Sequence, residues 1–233
     1  MTRFQRPEHQ AVAAVLAAMD HDLLTQCACW FGDGTEIVLD LGEYRISKDI
    51  DFLCADAAGY RELRTRIVSA GAAALFGPAI RQERAFRTDQ YGIPGIVSAA
   101  GIPIRFEIVR EARIDLTGRA DPVLGVPRLS DVDRVAEKLL ANADRTQDRS
   151  TAYRDAVDLG MLALRLGPFP DRSREKAEAA YGTDIALKLR WVLDRLADAG
   201  ERHYAATTLG MDPGLLDTAI AALRTEAQFF SAV

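Results

Sequence analysis

The stretch CWFGDGTEIVLDLGEYRISKDIDFL, residues 29–53, constrains the fold more than any other part of the chain. Its first residues read as a short strand that stops at glycine. Gly32, Gly34 and Thr35 then form a tight turn, TEIVLDLG reads as a brief helix with Gly42 as its stop, and DIDFLCA reads as a second strand. On a strand, alternate side chains share a face, so Asp49 and Asp51 converge while Ile50 and Phe52 point into a core. Two carboxylates that close repel each other, and burying them is costly unless something positive sits between them.

A hard divalent cation supplies such a charge. Mg²⁺ is held by one or two carboxylates together with substrate phosphates, so Asp49 and Asp51 are candidate ligands. The turn upstream offers Gly34 and Thr35 at a helix N-terminus, where backbone N–H groups can meet an anion. Glu107, on the polar face of the later strand IPIRFEIV, offers a third carboxylate beside Arg105. Each feature also has a plain structural reading: two solvated aspartates, an ordinary glycine turn with Thr35 as helix cap, and a Glu107–Arg105 ion pair. Taken together, a phosphate cradle, paired aspartates and a further strand carboxylate are the parts of metal-assisted phosphoryl or nucleotidyl transfer. Arg45 and Lys48, between the turn and the aspartates, are candidates to reach a triphosphate, or else solvated loop cations.

The rest of the chain divides by pattern. Apolar positions in 8–24 have helical spacing, and AAGYRELRTRIVSAG reads as a helix ended by Gly71. RAFRTDQYG, IPGIVSAAG and IPIRFEIVR suggest a strand pair and a third strand, and TGRADPVLGVPRL reads as an irregular connection. From Ser130 onward four or five helices are expected, near 130–143, 150–166, 173–180, 183–199 and 213–230. The expected organisation is therefore an α/β domain over 1–125 and a helical domain over 126–233, with function where they meet.

A net charge of −5 weakens any reading that needs a broad basic surface, although arginines cluster at 61–66, 81–87 and 145–154. Cys27, Cys29 and Cys54 are too few for a disulfide framework and read as reduced core residues. With neither a signal-peptide pattern nor an apolar run of spanning length, the expected location is cytoplasmic, with no membrane partner.

Gly34-Thr35, thirteen residues, then Asp49-Ile50-Asp51 resembles the signature of the DNA polymerase β-like nucleotidyltransferases. More narrowly, GDGTEIVLDLGEYRISKDIDFL is similar to the opening of the AbiEii/AbiGii toxin family. That family also carries a lysine on a helix and an R-D-x-x-D-L motif on the next, matched here by Lys138 in VAEKLLANADR and by Arg154, Asp155, Asp158 and Leu159 in YRDAVDLGML. The likeness runs over roughly residues 28–165, and Asp33 departs from it, standing where many relatives have a small residue.

The resemblance implies an α+β fold with a nucleotidyltransferase-like mixed sheet flanked by helices, completed by a helical C-terminal part. It implies an enzyme using Mg²⁺ (or Mn²⁺) to move a nucleoside monophosphate from an NTP to a hydroxyl, on a tRNA 3′ end or on a protein, and a possible antitoxin partner. Lys138 would neutralise phosphate charge, so that its loss would lower transfer far more than fold stability. Asp155 or Asp158 would orient Lys138 or assist the acceptor. The alternative is a nucleotide sensor or interaction module of the same fold, with Asp33 weakening catalysis.

Overall fold

The computed structural model describes residues 3–230, which fall into two units. One comprises the chain up to Leu39 together with Ser47–Ser130, and the other comprises Asp40–Ile46 and the chain from Asp131 onward. Among the described residues, no helix is long and apolar enough to cross a membrane.

In the first unit the apolar spacing over 8–24 is realised as two helices, α1 (Pro7–Ala17) and α2 (His21–Gln26). The break occurs because the Asp20 side chain accepts from the Leu23 N–H at 2.9 Å and so caps a new helix, while Met19 bridges to Phe76. Next come β1 (Cys29–Gly32), α3 (Asp33–Asp40), β2 (Ile50–Cys54) and α4 (Ala57–Ala70). Asp56 caps α4 through the Gly59 N–H, and Gly71, at φ 59°, ends it in a conformation that favours glycine.

The remaining strands are β3 (Arg81–Arg84), β4 (Gly92–Ala99), β5 (Ile102–Arg110), β6 (Gly118–Ala120) and β7 (Pro127–Leu129). They complete a seven-stranded mixed sheet of order β3-β4-β5-β2-β1-β7-β6. The β4–β5 hairpin closes on Ala100 and Gly101, both at positive φ, as a two-residue turn between twisted strands requires. The segment 85–91, expected to pair, leaves the ladder because Phe86 lies over Gly95 and packs edge-on to Phe106, with ring centroids 5.6 Å apart. The connection over 117–129 contains two strands that its glycine and proline content conceals. Gly118 is tolerated in β6 because the Trp30 ring occupies the space of its missing side chain. β2 sits between β1 and β5, with Ile50, Phe52 and Cys54 fully buried. Phe52 packs between Phe31 and Phe106, at 5.4 and 6.0 Å between centroids. Cys27, Cys29 and Cys54 are free and buried in this core.

The second unit holds α5 (Asp131–Arg145), α6 (Arg154–Leu166), α7 (Asp171–Tyr181), α8 (Asp184–Arg195), α9 (Ala199–Leu209) and α10 (Pro213–Ala227). The expected helix over 183–199 stops at Arg195, and Asp198 caps α9 by accepting from the Glu201 N–H at 3.0 Å. α6 and α10 approach closely at Gly160, where an added Cβ would lie 2.3 Å from the Ala219 carbonyl oxygen. Gly160→Ala is therefore expected to destabilise the protein by about 1–3 kcal/mol through overpacking against backbone that cannot swing away. Thermal melting checks this, and an unchanged midpoint would show that the two helices slide apart at little cost.

Candidate functional site

In the first unit the sheet register gathers carboxylates around Asp51. Gly32 at the end of β1 pairs with Asp51, and so does Glu107 of β5 from the other side. Asp49 immediately precedes β2, two residues from Asp51 on the chain. Asp33 follows Gly32 directly and takes a left-handed φ of 61° as the chain turns from β1 into α3. The Asp51 carboxyl is consequently pushed up to about 7, first by burial and then by the charges of Asp33, Asp49 and Glu107, with Arg105 acting in the opposite sense. Negative charge is thus in surplus around one half-buried carboxyl.

Glu107 accepts from Arg105 Nη2 at 2.7 Å on its own strand, so the ion pair considered from the sequence does form. Among the described residues, no group of three or more His, Cys, Asp or Glu side chains is assembled as a ready-made metal cage. The donor set nonetheless fits a hard divalent cation. Its atoms are carboxylate oxygens, its charge is under-compensated, and Mg²⁺ characteristically takes one or two carboxylates and draws its remaining oxygens from water and phosphate.

The turn that precedes the aspartates is built tightly. Gly34 is buried, and the Thr35 hydroxyl, 2% exposed, is hydrogen-bonded to Ser47 Oγ at 2.7 Å. The Thr35 side chain therefore fastens the turn to the chain just before Asp49. The backbone N–H groups in the first turn of a helix have no preceding helical turn to bond, so the N-terminus of α3 is the part of this turn suited to an anion. Lys48 is exposed.

A second cluster lies in the helical unit. Lys138 of α5 is 1% exposed, with Nζ 3.0 Å from Asp155 Oδ1 and 3.4 Å from Asp158 Oδ2. Arg145, about two turns further along the same face of α5, donates to both oxygens of Asp155 at 2.8 and 2.9 Å. These cations hold the Asp155 carboxyl well below the usual carboxylate range despite its burial. Asp158 is fully buried and takes a two-pronged bond from Arg45, Nε to Oδ1 and Nη2 to Oδ2, each 2.7 Å. The Tyr44 hydroxyl also donates to Asp158 Oδ1 at 2.7 Å.

This placement differs from the sequence expectation in three respects. Arg45 is neither a solvated loop cation nor exposed, since its guanidinium is committed to Asp158. Lys138, expected to act on phosphate with little bearing on stability, is an interior residue, because α6 supplies two carboxylates to pair it. Asp158, expected to orient Lys138 or assist the acceptor, takes its shortest bonds from Tyr44 and Arg45, over a hundred residues away. Tyr44 carries no signal in the sequence beyond its adjacency to Arg45 within GEYRISKD. Of the arginines grouped by sequence, Arg149 pairs with Glu201 and stacks on Tyr204 at 3.9 Å, and Arg66 pairs with Glu62.

Comparison with known proteins adds an independent line. A family model described as "Nucleotidyl transferase AbiEii toxin, Type IV TA system" matches residues 15–226. A solved Helicobacter pylori protein, provisionally described as a nucleotidyltransferase, is 20% identical with a TM-score of 0.54, over 90% of this chain and 89% of that one. JHP933 from Helicobacter pylori is also 20% identical, with a TM-score of 0.53, over 90% and 86% respectively. At that identity the two structures establish the likeness of fold. No curated protein matches the chain.

Proposed function

The chain belongs to the AbiEii family of nucleotidyltransferase toxins, and from that premise we propose that it transfers a nucleoside monophosphate from an NTP to a hydroxyl acceptor, releasing pyrophosphate. The observation that carries the reading is the surplus of negative charge at Asp51, held half-buried beside the turn of α3. In the proposed reaction the acceptor oxygen bonds to the α-phosphorus, the bond from that phosphorus to the β-bridging oxygen breaks, and the acceptor proton passes to solvent.

Asp49 and Asp51 would hold a divalent cation, Mg²⁺ or Mn²⁺, with Glu107 alongside. Bound there, the cation would neutralise charge on the phosphates and on the departing oxygen. Asp33 adds to the charge that calls for a cation. The residues of the chain do the rest. The N-terminus of α3 at Gly34 and Thr35 binds phosphate oxygens and Lys48 offers an exposed positive charge, while Lys138 is carried over from the family motif as the cation for phosphate charge. Asp155 orients its ammonium. A role as general base suits neither aspartate of α6, because the oxygens of both are already taken by donors.

Family membership makes an antitoxin the proposed protein partner, and the acceptor is a tRNA 3′ end or a protein hydroxyl. Incubating the protein with each labelled NTP, Mg²⁺, total RNA and cell lysate tests the reading. Label in RNA or in protein that vanishes with Asp49→Ala is the expected result, and the labelled fraction identifies the acceptor class. An RNA acceptor should also bind with steep salt dependence, about 0.7 in log–log slope per single-strand phosphate contact. Absence of label in both fractions with every NTP would overturn the transfer reading.

A further inference from the structure

The segment Asp40–Ile46 runs from the end of α3 to Ser47, so it joins the two elements of the proposed nucleotide site, yet its own partners lie in the helical unit. Asp40 takes a bond from Arg134 at 3.0 Å, Tyr44 and Arg45 engage Asp158, and the Ile46 N–H donates to the Leu209 carbonyl at 2.8 Å. Between these anchors the strap turns through Gly42 and Glu43, at φ 85° and 60°. Its base is closed where Thr35 and Ser47 share a hydrogen bond, one residue before Lys48 and two before Asp49.

Burying an arginine and an aspartate is a poor route to stability, since desolvation costs several kcal/mol per ion and an apolar pair of similar volume often serves better. What the fork between guanidinium and carboxylate provides is direction, because two parallel bonds fix the angle of the backbone that carries them. We infer that Arg45 and Asp158 are positioning residues: their ion pair, steadied by Tyr44, sets the path of the strap and so holds the α3 turn and the Asp49–Asp51 segment in the mutual geometry that binds cation and phosphate. The inference rests on the site proposed above. It assigns Asp158 a role acting through Arg45 and at no reacting atom.

The test is Mn²⁺ binding by the whole protein without nucleotide, followed by the loss of the free-ion paramagnetic resonance signal. Arg45→Lys keeps the charge but not the fork, and Asp158→Asn keeps the shape but not the charge. Each is expected to weaken Mn²⁺ binding by about tenfold, the lower end of the cost of losing a group that orients metal ligands. The double variant should be no weaker than the worse single, because both break one device. Tyr44→Phe, which removes one hydroxyl, should move affinity the same way by less, and serves as the readout if either charge variant fails to fold. Folded variants that melt lower but bind Mn²⁺ as wild type does would make the pair purely structural and overturn the inference. Wild type that binds no Mn²⁺, or binds it equally after Asp49→Ala with Asp51→Ala, would instead overturn the underlying site.

Discussion

Asp51→Asn is expected to make the metal-free protein more stable above pH 7 while lowering nucleotidyl transfer by at least the order of 10²–10³ that follows removal of one strong electrostatic group. The sign follows from linkage. The Asp51 carboxyl is raised from its ordinary 3.8 to about 7, so the folded protein retains a proton that the unfolded chain releases. Wild-type stability therefore falls as pH rises from near 4 to near 7 and is level above that, and the Asn variant lacks this slope. The two numbers set a ceiling of roughly 4 kcal/mol, reduced by the water that still reaches the group.

Near pH 4 the variant and the wild type should melt alike, apart from the small cost of the substitution itself. Mn²⁺ should reverse the order above pH 7, because only the wild type gains by binding. Melting curves across pH, with and without Mn²⁺, check both halves. A variant less stable than wild type at pH 8 without metal would mean that Asp51 is already compensated and that no cation is called for.

Lys138→Ala has the second large effect, and here structure changes the expectation. The sequence alone points to a loss of rate with little cost to stability. The structure buries Nζ against Asp155 and Asp158, so removing it breaks an interior ion pair, which costs about 3–5 kcal/mol when a buried charge is left without a partner. The cost should fall toward the lower end, since Arg145 remains on Asp155 and Arg45 on Asp158. In the fraction that stays folded, transfer should still fall on the order of 10²–10³, because an ammonium fixed in advance by two carboxylates reorganises little when phosphate charge develops. Denaturant melts and turnover measured well below the midpoint separate the effects. Unchanged turnover in folded protein would leave Lys138 as a brace and nothing more.

Much of the fold was legible because it is written in short-range pattern. The alternation in IPIRFEIV put Ile104, Phe106 and Ile108 in the core, and the structure buries all three. The helical spacing after residue 130 foretold a helical half, although Asp198 restarts the chain as α9 where one longer helix and then loop were expected. β6 and β7 escaped because three residues carry no detectable period, and a glycine and a proline within them read as turn signals. Pairing with a neighbour, and not composition, makes them strands.

The sequence by itself determined the succession of strand, glycine turn, helix and aspartate strand, the placing of Asp49 and Asp51 away from the core, and the family to which the chain belongs. Each is encoded within a few dozen residues, where backbone geometry fixes which side chains share a face. Only the tertiary structure decided the partners of the charges. Arg45 and Asp158 are 113 positions apart, and Lys138 reaches α6 from the helix before it. The strap that carries Arg45 groups with a helical unit whose other residues begin at Asp131. A charged side chain is compatible locally with water or with any opposite charge, and desolvation forces the choice only when packing buries it.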